Sequence, residues 1–164
     1  MRKQEILESL VITRRNFIKA VSASVIFTLL LGLGIDVLGE EHGTFCTAIN
    51  CIDGRVQEPV YDYMKNTCNV SYVDMITAPG PDGIMSRGDT MCQYIKSAVS
   101  ISVEKHASKT VAIVGHYDCK GNPVSKEEHW TDIRDSVNKI RSWSLPVNVI
   151  GLWVNENWEV ELVN

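Results

Sequence analysis

Thr110-Val111-Ala112-Ile113-Val114-Gly115-His116-Tyr117-Asp118-Cys119 decides how this chain is read. Thr110 to Val114 is a near-continuous apolar run, the pattern of a strand in a parallel sheet covered on both faces. An imidazole and a thiol follow it at once, spaced His-x-x-Cys. About sixty residues earlier, Phe45 to Ile52 reads as a second buried strand, and it runs out into Cys51-Ile52-Asp53-Gly54-Arg55. Between and beyond these two strands, helical and extended patterns alternate. Glu58 to Thr67 carries Val60, Tyr61 and Met64 at helical spacing. Val70 to Ile76 is a strand ended by the breaker-rich Ala78-Pro79-Gly80-Pro81-Asp82-Gly83, read as a loop. Thr90 to His106 is a helix that Asp89 or Thr90 could cap. Ser125 to Trp143 is another, opened by a Ser125/Glu128 capping box. Val147 to Val154 is a fourth strand, and Trp158 to Val163 a short edge strand after the Asn155-Glu156-Asn157 turn. The order predicts an α/β fold: a small, mainly parallel sheet of four strands plus a C-terminal edge hairpin, flanked by helices.

Ligands of such sheets gather beyond the C-terminal strand ends. Cys51 closes the first strand, and His116 and Cys119 follow the third, so all three fall on one edge of the sheet. Two thiols and one imidazole are good zinc ligands, and a catalytic zinc site keeps three protein ligands with a fourth position for water or substrate. Asp53 lies two residues beyond Cys51, within reach of that fourth position, and Arg55 two residues further can grip the carboxylate. Cys51, His116 and Cys119 are therefore the candidate zinc ligands, and Asp53 with Arg55 the candidate catalytic dyad. The plainer reading is two buried thiols with a chance histidine, beside a surface ion pair of little energetic consequence.

Composition is that of a globular protein: 164 residues, 45% hydrophobic and 22% charged, with a net charge of −4. Outside the N-terminus there is no basic run, which excludes nucleic acid as an expected partner. The first residues differ from the rest. Thr13-Arg14-Arg15-Asn16-Phe17-Ile18-Lys19 is a twin-arginine pattern, and an apolar stretch follows from Ala20 to Ile35. That stretch is short for a membrane span, which needs about twenty residues, and it fits a signal h-region behind a basic n-region. Residues 1–39 are read as a twin-arginine signal or an N-terminal membrane anchor, and residues 40–164 as the zinc domain. Ile35-Asp36-Val37-Leu38-Gly39 is a poor cleavage site, so a retained anchor stays open. The expected location is export across, or anchoring to, the cytoplasmic membrane with the domain on the outer side. Removing residues 1–39, with five Lys/Arg and three Asp/Glu, leaves a more acidic body. Of the five cysteines, Cys46, Cys68 and Cys92 remain after the ligands are set aside, and an odd remainder is no disulfide framework. Cys68 and Cys92 sit in helical patterns and read as small buried thiols.

Cys-x-Asp-x-Arg after the first strand and His-x-x-Cys after the third resemble the β-class carbonic anhydrases. The similarity runs from Cys46 to the end, including Gly151-Leu152-Trp153-Val154 and its hairpin. The resemblance implies that Cys51, His116 and Cys119 bind Zn2+, and that Asp53 and Arg55 form the dyad that orients the reacting water. It implies reversible hydration of carbon dioxide to bicarbonate, and a homodimer whose subunits complete each other's pocket. The chain departs from the family pattern in several places. Only about ten residues separate the signal-like segment from Cys51, where a helical arm is usual. Gly54 stands where Ser is usual. Thr77-Ala78-Pro79-Gly80-Pro81 replaces an Arg-Asn-Ala-Gly type stretch, and Lys120-Gly121-Asn122-Pro123 replaces a Gly- or Ala-rich helix start. No match to the family's carbon dioxide-pocket Gln is evident.

Other residues carry weaker expectations. Asp118 reads as a solvated or capping residue, with a catalytic role as the functional alternative. His129 reads as an exposed helix-face histidine, with proton shuttling as the functional alternative; His42 and His106 read as surface residues. Gly80 and Gly83 either let the loop backbone approach the substrate or form a plain turn. Met75, Ile84 and Met85 read as core rather than pocket, and Trp130, Trp143, Trp153 and Trp158 as core or interface anchors. Competing functions are hydrolysis of carbonyl sulfide or carbon disulfide on the same scaffold, a non-catalytic zinc-binding module, and thiol redox chemistry. The lack of Cys-x-x-Cys counts against the last.

Overall fold

The structure, a computed structural model, describes residues 43–164. The twin-arginine segment, its apolar stretch and His42 lie outside the described residues. In chain order the elements are β1 (Phe45–Cys51), a 3-10 turn (Gly54–Val56), α1 (Gln57–Cys68), β2 (Tyr72–Ala78), α2 (Pro81–Arg87), α3 (Cys92–Lys105), β3 (Thr110–His116), α4 (Lys126–Arg141), β4 (Asn148–Val154) and β5 (Val160–Val163). They build one five-stranded sheet in the order β2-β1-β3-β4-β5. The first four strands are parallel, and β5 returns antiparallel on β4, with Val154 opposite Val160. This is the expected α/β architecture.

Alternation along the buried strands divides the core between the two faces. Ile49, Val111 and Ile113 pack with Ile84, Met85, Ile95, Val99, Ile133 and Ile140 from α2, α3 and α4. Ala48, Ala112 and Val114 pack on the other face with Val60 and Met64 of α1. Both faces being covered explains why β1 and β3 read as continuous rather than alternating apolar runs. α4 lies close against the sheet because Gly115 and Gly151 carry no side chain beneath it: a Cβ at Gly151 would stand 2.4 Å from the Ile133 side chain. The Ser125/Glu128 capping box forms as expected, with Ser125 Oγ accepting from the Glu128 amide at 3.2 Å.

Three expectations are corrected. Pro81–Arg87 is a helix, not a loop. Its breakers sit where a helix uses them: Gly80 is left-handed just before it, Pro81 takes the first turn where a missing N–H costs nothing, and Gly88 closes it at φ 77°. Cys68 and Cys92 are only partly buried; the Cys92 thiol donates to the Ile84 carbonyl at 3.2 Å. His129 is 2% exposed, not a surface histidine, and its ring lies against Trp153 with centroids 5.1 Å apart. Ile84 and Met85 are core, as read, and Met75 is half-buried. Trp153 is core, whereas Trp130, Trp143 and Trp158 are partly buried. His106 is exposed but not free, since its Nδ1 lies 2.8 Å from the Asp74 carboxylate. Among the described residues no helix is long and apolar enough to cross a membrane.

Candidate metal centre

The strand order places β1 between β2 and β3, so the chain leaves β1 toward one side and returns on the other. That reversal lies at the C-terminal ends of β1 and β3, the position where open α/β sheets bind ligands. Cys51 is the last residue of β1 and His116 the last of β3. Cys119 follows one turn later, after Asp118 takes a left-handed φ of 55°. The Cys51, His116 and Cys119 ligand atoms all lie within 4.8 Å of one another, and all three residues are buried. The two sulfurs are 3.9 Å apart, far beyond the ~2.05 Å of a disulfide. Zinc–sulfur bonds of about 2.3 Å in a tetrahedron set two sulfurs roughly 3.8 Å apart.

The donor atoms are prepared for a cation. His116 Nδ1 lies 2.8 Å from the Tyr117 carbonyl; donating there directs the lone pair to Nε2, which is buried and has no hydrogen-bond partner. A backbone carbonyl on the other ring nitrogen commonly sets the tautomer of a metal-binding imidazole in this way. The two thiols oppose each other. A hydrogen bond from Cys119 holds the Cys51 thiol well below the usual thiol range against the effect of burial. That same bond, together with burial, pushes Cys119 well above it. One sulfur thus ionises readily and its neighbour resists, because two adjacent buried thiolates repel until a cation neutralises them. The neighbouring His116 ring and the Gly80 and Asp53 amides also lower Cys51, and the Asn122 and Gly121 amides partly offset the rise at Cys119.

Asp53 caps the 3-10 turn that follows Cys51, accepting from the Arg55 amide at 3.0 Å. The Arg55 guanidinium closes on the same carboxylate, Nη2 to Oδ2 at 2.6 Å and Nε to Oδ1 at 3.0 Å. These hydrogen bonds hold the Asp53 carboxyl down at about 2. Arg55 has further partners: Asp118 Oδ2 at 3.4 Å and the Trp158 ring, whose centroid is 4.8 Å from the guanidinium carbon. Lys120 also pairs with Asp118, at 2.5 Å. Asp118 therefore belongs to the surroundings of the dyad rather than being merely solvated. Gln57 ties the segment together, donating from Nε2 to the Cys51 carbonyl at 2.6 Å and the Asp53 carbonyl at 2.8 Å. At Gly54 an added Cβ would meet nothing within 4 Å, so glycine is not sterically required there.

A family model described as "Putative carbonic anhydrase" matches residues 41–164. The chain belongs to that family. Solved carbonic anhydrases share its fold. The β-carbonic anhydrase isoform I of Trichomonas vaginalis is 16% identical, with 89% of this chain and 96% of that chain covered and a TM-score of 0.53. The carbonic anhydrase of Glaciozyma antarctica is 14% identical, with 87% and 95% covered and a TM-score of 0.51. The β-carbonic anhydrase CafA of Aspergillus fumigatus is 14% identical, with 95% and 90% covered and a TM-score of 0.50. No curated protein has a matching sequence.

Two departures of this carbonic anhydrase-family chain turn out to be one feature. The Pro79-Gly80 turn and the Lys120-Gly121-Asn122 turn meet backbone to backbone: a Cβ on Gly80 would lie 2.5 Å from the Gly121 carbonyl carbon, and one on Gly121 would lie 2.5 Å from the Gly80 nitrogen. Gly80 and Gly83 serve this internal contact; a Cβ on Gly83 would strike the Asn122 side chain at 2.6 Å. Asp82 and Asn122, buried to 0% and 1% exposure, escaped the sequence reading. Both lie inside breaker-rich stretches, where only tertiary contact reveals a role.

Proposed function

We propose that this chain is a zinc-dependent carbonic anhydrase that interconverts carbon dioxide and bicarbonate, with Cys51, His116 and Cys119 holding the metal. The observation that carries this reading is the convergence of two sulfurs and an unpartnered, buried imidazole nitrogen within 4.8 Å, beside a carboxylate clamped by arginine. Zinc bound there would lower the pKa of water from 15.7 to about 7, supplying a nucleophile at neutral pH. The chain's own residues then have distinct tasks. Asp53 is ionised at neutral pH and acts as a hydrogen-bond acceptor that orients the reacting water. Arg55 uses its Nε and Nη2 to fix the Asp53 carboxylate, and Asp118 and Trp158 fix Arg55 in turn. Such preorganisation avoids rearrangement when charge develops.

Metal analysis combined with stopped-flow carbon dioxide hydration on the purified chain tests the reading. One zinc per chain and hydration well above buffer background are expected. Stoichiometric zinc with no hydration would refute the activity, and no zinc would refute the centre itself.

Two further parts of the proposal concern assembly and location. The chain forms a homodimer, a reading supported by Ile52 and Tyr117, which sit beside the ligand residues and are 61% and 50% exposed. Sedimentation of a single 18.3 kDa species would refute it. The twin-arginine pattern at residues 13–19 supports export with the domain on the outer side. Replacing Arg14 and Arg15 by Lys should hold a fused reporter in the cytoplasm; unchanged export would refute that route.

A further inference from the structure

The loop carrying Cys119 is irregular from Asp118 to Val124, yet its amides must hold still for a ligand sulfur. Asn122 lies three residues beyond Cys119 and is 1% exposed. Its Nδ2 donates to Asp82 Oδ2 at 3.1 Å and to Asp132 Oδ2 at 2.9 Å, and its Oδ1 accepts from Arg87 Nη1 at 3.2 Å. An asparagine amide offers two donors and a carbonyl acceptor. Here both donors meet carboxylates and the acceptor meets a guanidinium, an arrangement that neither aspartate nor an apolar residue of that size can satisfy.

Its partners are themselves anchored. Asp82 is completely buried in the first turn of α2; its carboxylate bonds the His129 Nδ1 of α4, and its carbonyl accepts from Ser136 Oγ at 2.9 Å. The Asp82 carboxylate also stands directly against Gly115, the residue before His116: a Cβ there would be 2.9 Å from Asp82 Oδ2. Arg87 and Asp132 form a 3.8 Å ion pair across the same two helices. Helices α2 and α4 therefore grip one side chain of the ligand loop from both sides, and the Gly80–Gly121 contact closes the third.

Resting on the reading of Cys51, His116 and Cys119 as metal ligands, we propose that Asn122 is a positioning residue for the metal centre. Held by Asp82, Asp132 and Arg87, it fixes the loop that runs from Cys119 to Asn122, and so sets the geometry and affinity of the thiolate ligand. Outer partners that orient ligands commonly contribute 10- to 100-fold in metal affinity. The carboxylates of Asp82 and Asp132 act through Asn122 and touch no substrate.

The test compares the wild-type chain with Asn122→Ala and the isosteric Asp132→Asn. Zinc affinity is measured by chelator competition, and cobalt(II) substitution reports geometry through the thiolate charge-transfer and d–d absorption bands. The expected result for Asn122→Ala is zinc held about 10- to 100-fold more weakly, with shifted cobalt d–d bands and the thiolate band retained. Asp132→Asn, which removes the charge but keeps one carbonyl acceptor, should show a smaller change in the same direction. A folded Asn122→Ala chain with wild-type zinc affinity and unchanged cobalt bands would overturn the proposal and leave a purely structural network. Should Asn122→Ala not fold, Asp132→Ala, which removes that acceptor of Asn122 Nδ2 altogether, decides, and unchanged affinity and bands there overturn it equally. A wild-type chain with neither zinc nor a cobalt–thiolate band would fail at the underlying metal reading instead.

Discussion

Replacing Gly80 by alanine probes the contact between the two loops that flank the candidate metal centre. Gly80 has φ 61°, and its added methyl would lie 2.5 Å from the Gly121 carbonyl carbon and 2.7 Å from the Asn122 nitrogen. These are backbone atoms, so no rotamer change relieves the overlap. The left-handed conformation alone costs an alanine about 1 kcal/mol. Forcing the two turns apart adds a cost comparable to other overpacked sites, for a total of about 3 kcal/mol. With a urea slope of about 2 kcal/mol/M the unfolding midpoint should fall by roughly 1.5 M. The measurement belongs in chelator, because metal binding to the native state would otherwise add its own stabilisation. Gly54→Ala is the matched control: nothing lies within 4 Å of its added methyl, so its effect should stay within about 0.5 kcal/mol. Equal midpoints for Gly80→Ala and Gly54→Ala would refute the argument that these turns touch.

Ile133→Ala removes a fully buried side chain seated over Gly115 and Gly151; it should cost about 3 kcal/mol in denaturant unfolding, and a change under about 1 kcal/mol would mean α4 does not pack there. The Asp53 carboxyl is held at about 2 in the folded chain, below the ~3.9 of an unfolded aspartate. Its contribution is therefore complete above pH ~3.9 and disappears as pH falls through about 2. The stability gap between wild type and Asp53→Asn should be flat near neutral pH and close on acidification; a gap that widened in acid would contradict the assignment. Asp118→Asn weakens the hold on Arg55 at an exposed site, where screening makes ion pairs thermodynamically slight. The thermal midpoint should move by less than about 2 °C while carbon dioxide hydration slows; a large loss of stability with unchanged rate would reverse that division.

Much of this protein is legible before any coordinates. The apolar runs of β1 and β3 gave themselves away because strands covered on both faces need no polar alternation. Their order with the intervening helical patterns implied a parallel sheet, and that topology put Cys51, His116 and Cys119 on one edge. α2 does not show in the sequence because Pro79, Gly80, Pro81 and Gly83 each break structure when considered locally. In the fold they start a short helix and clear room for a neighbouring loop. The burial of His129 is not legible because a single histidine on a helix of mixed polarity has no intrinsic direction; its partner Asp82 lies 47 residues away and its ring packs on Trp153.

Sequence alone determined the strand–helix order and the choice of candidate ligand atoms, since both follow from local periodicity and side-chain chemistry. Tertiary structure decided what surrounds those atoms: the 3.9 Å separation of two sulfurs, the meeting of Gly80 with Gly121, and the Asp82–Asn122–Asp132 hydrogen bonds. Such contacts join residues from separate elements, and they depend on angles and distances set by the packing of the whole sheet, which no short window of sequence encodes.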